Sequence, residues 1–447
     1  MTAQKKRAQR ITGAGAVQVA ASIEASIRAG ELAPGDPLPT VRELAGRLGL
    51  APATVAAAYR ALRARGLAVA RGRRGTRVSP RPPIASAPPP AVPEHVRNLS
   101  LGNPDPRLLP DLAPFLATLA RDGGPSRLYG EAVIHPDLER LARADFLADG
   151  IPCEAVGIAS GALDAIERVL QAHLRPGDRV AVEDPGFTGV LDLVAALGLE
   201  AVPVAVDAEG PLPASLEAAL ARGAEAFIAT PRAQNPTGAA ISAARAAALR
   251  AALVRSPDLL VIEDDHMGAV SGAPYATLLE HARARRVAIR SVSKALGPDL
   301  RVAVFAADPA TAARVEGRQL VGVRWVSFVL QRLVAALLEA DDVRAMLARA
   351  AATYAERRAA ALEALAAHGI AATGVSGHNI WIPVADEART LQGLLDEGFA
   401  VAAGERFRIE SPPAVRVTVA DLGPGDASAF ADAFARVLTP PRRTHGA

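Results

Sequence analysis

Ser291-Val292-Ser293-Lys294-Ala295-Leu296-Gly297 (residues 291–297) is the stretch from which the body of this chain can be read. It directly follows Val287–Ile289, an apolar run of strand type. Lys294 is one of only three lysines in 447 residues; the others are Lys5 and Lys6 at the extreme N-terminus. Elsewhere the sequence uses arginine. Arginine keeps its proton and has no nucleophilic primary amine, whereas a lysine can form a Schiff base with a carbonyl. A lysine kept at this one internal place therefore points to amine chemistry. The plainer alternative is a chance surface charge.

Apolar segments at Val180–Val182, Ala226–Ala229, Leu259–Ile262, Val287–Ile289 and Val302–Phe305 alternate with alanine-rich helical stretches. That alternation predicts an α/β fold with a mostly parallel sheet. Ligands of such sheets sit at the carboxyl ends of the strands. Asp264 emerges there, after Leu259–Ile262. Ser160-Gly161-Ala162 opens the helical run 163–174, and amides at a helix start suit a phosphate. Ser291, Ser293 and Arg301 can add hydroxyl and guanidinium contacts to it. Phe187, in Glu183-Asp184-Pro185-Gly186-Phe187, can stack on an aromatic ring, and Asn235, in Asn235-Pro236-Thr237-Gly238, can donate to a phenolic oxygen. Singly, Asp264 reads equally as a helix cap, Phe187 as core and Gly161 as a tight turn. Together with Lys294 they describe a site for pyridoxal 5'-phosphate (PLP), whose ring nitrogen needs a carboxylate if the ring is to withdraw electrons. No metal is expected.

The net charge of +3 divides unevenly: residues 1–79 carry +10, residues 80–98 carry +1 and the remainder −8. A basic head on an acidic body is the pattern of a nucleic-acid-binding module joined to something else. A solvated basic tail is the alternative, against which the helical periodicity of 16–78 argues. The spacing predicts a helix over 14–29, a second opened by Thr40 as N-cap and ended by Gly49, and a third begun by Pro52 with Val55, Tyr59 and Leu62 on its inner face. Short strands at 66–69 and 76–78 flank the basic turn Arg71-Gly72-Arg73-Arg74-Gly75. Two helices about a glycine turn, then a basic hairpin, form a helix-turn-helix with a wing. Seven prolines between Pro80 and Pro93 predict a semi-rigid linker, or else a proline-rich ligand for a partner domain. The expected division is 1–79 winged helix-turn-helix, 80–98 linker and 99–447 PLP-binding body. One cysteine, Cys153, excludes an intramolecular disulfide and suits a reducing cytoplasm. No apolar run is long enough for a membrane span, and no signal peptide is read at the start.

The run from Leu38 to Val78, with Pro39-Thr40-Val41-Arg42, Thr54-Val55 and Gly75-Thr76 in order, resembles a GntR-type winged helix. The body from Leu99 onward resembles a fold-type I aminotransferase of class I/II, and the fusion resembles the MocR family of regulators. The resemblance implies that Thr40, Arg42, Thr54, Arg73, Arg74 and Gly75 approach double-stranded DNA. It implies Lys294 as the Schiff-base lysine, Asp264 at the pyridine nitrogen, Asn235 at the phenolic oxygen and Phe187 over the ring. Phosphate contacts would come from Ser160, Gly161, Ala162, Ser291, Ser293 and Arg301. Tyr129 would reach the phosphate in the partner of a head-to-tail homodimer. Arg416 would hold a ligand carboxylate, its alternative being a strand-surface charge.

Several positions depart from the family pattern. Ala51-Pro52 replaces a polar pair such as Ser-Arg. His266 replaces a tyrosine beside the phenolic oxygen. Pro231-Arg232-Ala233-Gln234 replaces a lead ending in histidine, and Ile134 replaces a glycine. These features resemble the subgroup tied to vitamin B6 metabolism. The resulting expectation is a PLP-dependent transcription regulator that senses PLP, a small amine or an amino acid through an aldimine at Lys294. The alternatives are a working aminotransferase with a vestigial head, and a DNA-binding protein whose PLP fold is unused.

Overall fold

The computed structural model describes residues 11–29, 31–64, 66–70, 75–79, 92–123 and 127–438. Arg73, Arg74 and most of the proline-rich stretch lie outside them. The chain divides into two compact units.

Within the head, α1 (Ala16–Arg28), α2 (Val41–Leu48) and α3 (Pro52–Ala64) precede β1 (Ala68–Ala70) and β2 (Thr76–Val78), which pair antiparallel. Val19, Ile23, Leu44, Val55, Tyr59, Leu62, Leu67 and Val78 form its core. Thr40 caps α2 as its spacing predicts. Its hydroxyl accepts from Glu43 N at 3.2 Å, while Glu43 Oε2 accepts from Thr40 N at 2.9 Å. Gly49 ends the helix in the left-handed region at φ 66°, where glycine carries no Cβ penalty. Thr40→Ala should cost this helix about 1 kcal/mol. Hydrogen exchange across Val41–Leu48 would then quicken; an unchanged rate would show that the cap is idle.

The body opens with β3 (Arg97–Asn98). Eight strands then build one large sheet: β4 (Ala155–Ala159), β5 (Arg179–Asp184), β6 (Glu200–Asp207), β7 (Gly210–Pro211), β8 (Ala224–Ala229), β9 (Leu260–Asp265), β10 (Arg286–Ser291) and β11 (Ala303–Ala307). Their spatial order is β4-β11-β10-β9-β8-β5-β6-β7. β8, β9 and β10 run parallel, as the strand–helix alternation predicts. β11 lies antiparallel to both β10 and β4, and a short connection rather than a helical crossover joins it to β10. The sheet is therefore mixed. The C-terminal part adds β12 (Asn379–Pro383), β13 (Phe399–Ala400), β14 (Ala402–Ala403) and β15 (Ala414–Thr418). β12, β15 and β14 form a three-stranded sheet, and β13 pairs with β3. A separate apolar core packs here around Leu99, Ile380, Ile382, Val415, Val417, Phe430 and Phe434. No described helix is long and apolar enough to cross a membrane.

Candidate functional site

Strand period places the site. On β15, Val415 and Val417 enter the small core, and alternation aims Arg416 the other way. β9 ends in Glu263-Asp264-Asp265, all buried. Asp265 is clamped by two guanidinium groups, at 2.8 Å from both Arg232 Nη2 and Arg290 Nε. They hold its carboxyl below the usual range although burial alone would raise it. Asp264 has no such partner. Its Oδ1 is buried and unpaired among the described residues. Burial, then the charges of Asp265 and Glu183, push its carboxyl up to about 7. An unpaired buried acceptor costs free energy until a donor meets it.

Lys294 is half-buried, and its Nζ donates to the Gly102 carbonyl at 2.5 Å. Burial, aided by the Arg416 charge, lowers its amine from 10.5 to about 8. A substantial neutral fraction near pH 8 makes it a competent nucleophile. Capture of a carbonyl compound should accelerate with pH and level off above about pH 8. A stopped-flow profile that still climbs to pH 10 would contradict this environment.

At the phosphate end, Gly161 has φ 103°, and a Cβ there would lie 2.6 Å from Arg301 Nη2. Glycine is thus required for the arginine's close approach. Arg301 Nη2 donates to the Ser160 carbonyl at 2.8 Å, and Arg301 itself sits in the left-handed region at φ 47°. Ala162 begins the helix Ala162–His173. Ser291 Oγ donates to Ser293 Oγ at 3.1 Å. Ser160, Gly161 and Arg301 thus meet one another, and Ser291 meets Ser293.

Arg416 is 5 % exposed and has no carboxylate partner among the described residues. Its Nη1 donates to Asn235 Oδ1 at 3.3 Å, its Nη2 to the Ser100 carbonyl, and its guanidinium lies 4.9 Å from the Phe407 ring centroid. Its Nε is unpaired among the described residues, and burial lowers the group to about 10. This arginine is no strand-surface charge. It is a buried cation in contact with Asn235.

Phe187 is half-buried, just ahead of the helix Thr188–Ala196. His266 is half-buried, and burial and the Lys294 charge push it down to about 4, so it is neutral near pH 7. Tyr129 stands apart: it is 76 % exposed, its ring 5.5 Å from Trp325 with the Arg324 guanidinium 4.8 Å above it. Sequence reasoning missed four contributors, two carbonyls and two side chains. The Ser100 and Gly102 carbonyls carry no side-chain signal. Gln234 joins the Asn235 and Phe187 loops, donating to Glu183 Oε2 at 3.0 Å and the Pro185 carbonyl at 2.8 Å while accepting from Thr237. His378 is buried, its Nδ1 is unpaired among the described residues, and it packs edge-on to Tyr354. Burial, with Lys294 and His266 next, holds it well below the usual imidazole range.

The residues fit PLP. The unpaired Asp264 oxygen suits a protonated ring nitrogen, the Gly161–Arg301 cradle suits a phosphate, and a lone low-pKa lysine suits an aldehyde. In the head, Arg42, Arg47, Arg60, Arg63 and Gly75 are exposed, while Thr54 is half-buried.

Comparison with known proteins agrees. The family of class I and II aminotransferases matches residues 94–434, and the gntR family of bacterial regulatory proteins matches residues 16–78. The vitamin B6 salvage pathway transcriptional repressor PtsJ of Salmonella typhimurium is 43% identical over 426 residues, covering 94% of this chain and 98% of its own. The HTH-type regulator TauR of Rhodobacter capsulatus is 30% identical, covering 85% of this chain and 87% of its own. The pyridoxine biosynthesis regulator PdxR of Corynebacterium glutamicum is 29% identical over 76% of each chain. A kynurenine aminotransferase structure from Pyrococcus horikoshii superposes with a TM-score of 0.71 at 21% identity, covering 77% of this chain and 91% of its own, which shows the shared fold. The relatives favour a regulator over an enzyme with a vestigial head. The chain belongs to the class I and II aminotransferase family, in the MocR branch of PLP-dependent, GntR-headed transcription regulators.

Proposed function

We propose that this regulator senses PLP itself, held at Lys294, and changes its affinity for operator DNA in response. The observation that carries the reading is the union, in one chain, of a winged helix with exposed arginines and a buried Asp264 whose Oδ1 is unpaired among the described residues. That relatives are named for B6 salvage and pyridoxine biosynthesis supports a B6 vitamer as effector. When bound, PLP supplies an aldehyde carbon to an amine and a ring that withdraws electrons. Lys294 would bind the aldehyde, Asp264 the ring nitrogen, Asn235 and His266 the phenolic oxygen, and Phe187 would cover the ring. Ser160, Gly161, Ala162, Ser291, Ser293 and Arg301 would hold the phosphate. A small amine or an amino acid is the other effector class, and Arg416, a buried cation that meets no carboxylate among the described residues, favours one that carries a carboxylate.

A route for the signal follows from two contacts. Lys294 donates to the Gly102 carbonyl and Arg416 to the Ser100 carbonyl. A bond formed at Nζ competes with the first, and an anion at Arg416 with the second. Both act on residues 99–105, the stretch that follows the proline-rich linker in sequence.

We further propose a head-to-tail homodimer in the cytoplasm, with Tyr129 reaching the partner's phosphate. Leu128, Tyr129, Val321, Val323 and Val329 are exposed apolar side chains, and Tyr129 contacts the Arg324–Trp325 stretch beside Val323. Such a face is covered in a stable assembly. Thr40, Arg42, Thr54, Arg73, Arg74 and Gly75 would meet the duplex. The test is an anisotropy titration of the DNA upstream of the gene and its neighbours, with and without PLP. The expected result is salt-dependent binding whose affinity PLP shifts by about fivefold or more. Equal affinity in both conditions refutes a PLP-responsive regulator.

A further inference from the structure

We infer that the outward face of α3 reads its operator through the methyl groups of thymine. The inference rests on the DNA-binding reading above and names the chemistry of the partner. Ala51, Pro52 and Ala53 are exposed, Ala56 is half-buried three residues on, and Arg60 is exposed four residues beyond it. The opposite face, Val55, Ala58, Tyr59 and Leu62, is buried in the head core. The helix thus turns outward a short apolar surface of methyl and methylene groups, with a guanidinium one turn further along. The Tyr59 hydroxyl donates to the Pro39 carbonyl at 2.7 Å, which fixes α3 against the residues that open α2.

Charge complementarity names DNA as the occupant. Arg42 and Arg47 on α2 and Arg60 and Arg63 on α3 are exposed, and the head carries +10. Where such arginines meet phosphates they set position without reading sequence. Arg60 on α3 can also read a guanine edge in the major groove, whereas the start of α3 presents only its apolar surface there. An alanine or proline there offers no donor or acceptor. A guanine, adenine or cytosine edge pressed against it loses water and gains no hydrogen bond. The thymine C5 methyl is the one base feature of the groove that gains from apolar contact.

The experiment uses the full-length protein at a fixed PLP concentration. Sites are selected from a randomised duplex library, and each thymine of the selected half-site is then replaced singly by deoxyuridine, which removes only the methyl group. The expected result is about a fourfold loss of affinity at one or two positions of each half-site, with an unchanged salt dependence because phosphate contacts are untouched. Equal binding of every uracil-substituted operator overturns the inference, as do selected half-sites that specify only G·C pairs. Absence of any salt-dependent binding to any duplex overturns the DNA-binding reading itself, and is told apart from the other failures by that criterion.

Discussion

Lys294→Ala protein should acquire no covalent B6 aldehyde. The amine is the only internal primary amine in the sequence, since the remaining lysines are Lys5 and Lys6. Its low pKa of about 8 makes it the best internal nucleophile for a carbonyl at neutral pH. After borohydride reduction, the wild-type chain should carry one cofactor on the peptide containing Lys294, and the variant none. Visible absorbance of the lysine-bound aldehyde should vanish with it, while DNA binding in the absence of PLP persists, because the head's core and arginines are untouched. Labelling at Lys5 or Lys6 with full PLP responsiveness in the variant would contradict the assignment.

Asp264→Asn should have the next largest effect, and with opposite signs in two assays. Asp264 lies 4 % exposed with Oδ1 unpaired. A ring nitrogen placed against it gains a charge-assisted hydrogen bond of about 1.5–3 kcal/mol. Loss of that bond should weaken PLP binding roughly ten- to a hundredfold. Without PLP, the same carboxyl is a burden. Burial raises it from 3.8 to about 7. A raised pKa means that the stability held by the protonated form is complete below pH 3.8 and is lost as pH rises through about 7. Asparagine cannot ionise, so the variant without PLP should unfold at a higher urea concentration than wild type at pH 8, with the gap closing toward pH 4. A variant less stable than wild type at pH 8 would show that the carboxylate is satisfied by the fold itself.

The elements legible in sequence were those set by local rules. The Thr40 cap, the Gly49 stop and the Pro52 start each follow from backbone chemistry within one turn. Asp264 was legible because it lies at the carboxyl end of an apolar strand, and Lys294 because it follows one as the lone internal lysine. The antiparallel course of β11 was not, since periodicity reports burial and not direction. Nor were the Gly102 and Ser100 carbonyls, which any residue could supply, and which become site groups only when residues 192 and 316 positions away fold over them. Gln234 looked like a mere departure from pattern. The structure shows an amide with every donor used, tying two site loops together. His378 gave no signal in Ser376-Gly377-His378-Asn379, because only tertiary packing buries it.

The B6 site and the DNA-binding head are expected to share one free energy. Linkage makes this directly measurable, because a ligand that alters DNA affinity must have its own affinity altered by DNA in the same proportion. The decisive measurement is the PLP titration of the wild-type protein, followed by its visible absorbance, with and without saturating operator. The expected result is two curves displaced by the same factor by which PLP shifts operator binding. Superimposed curves, alongside intact binding of both PLP and DNA, would mean that the two parts of the chain work independently, and would contradict it.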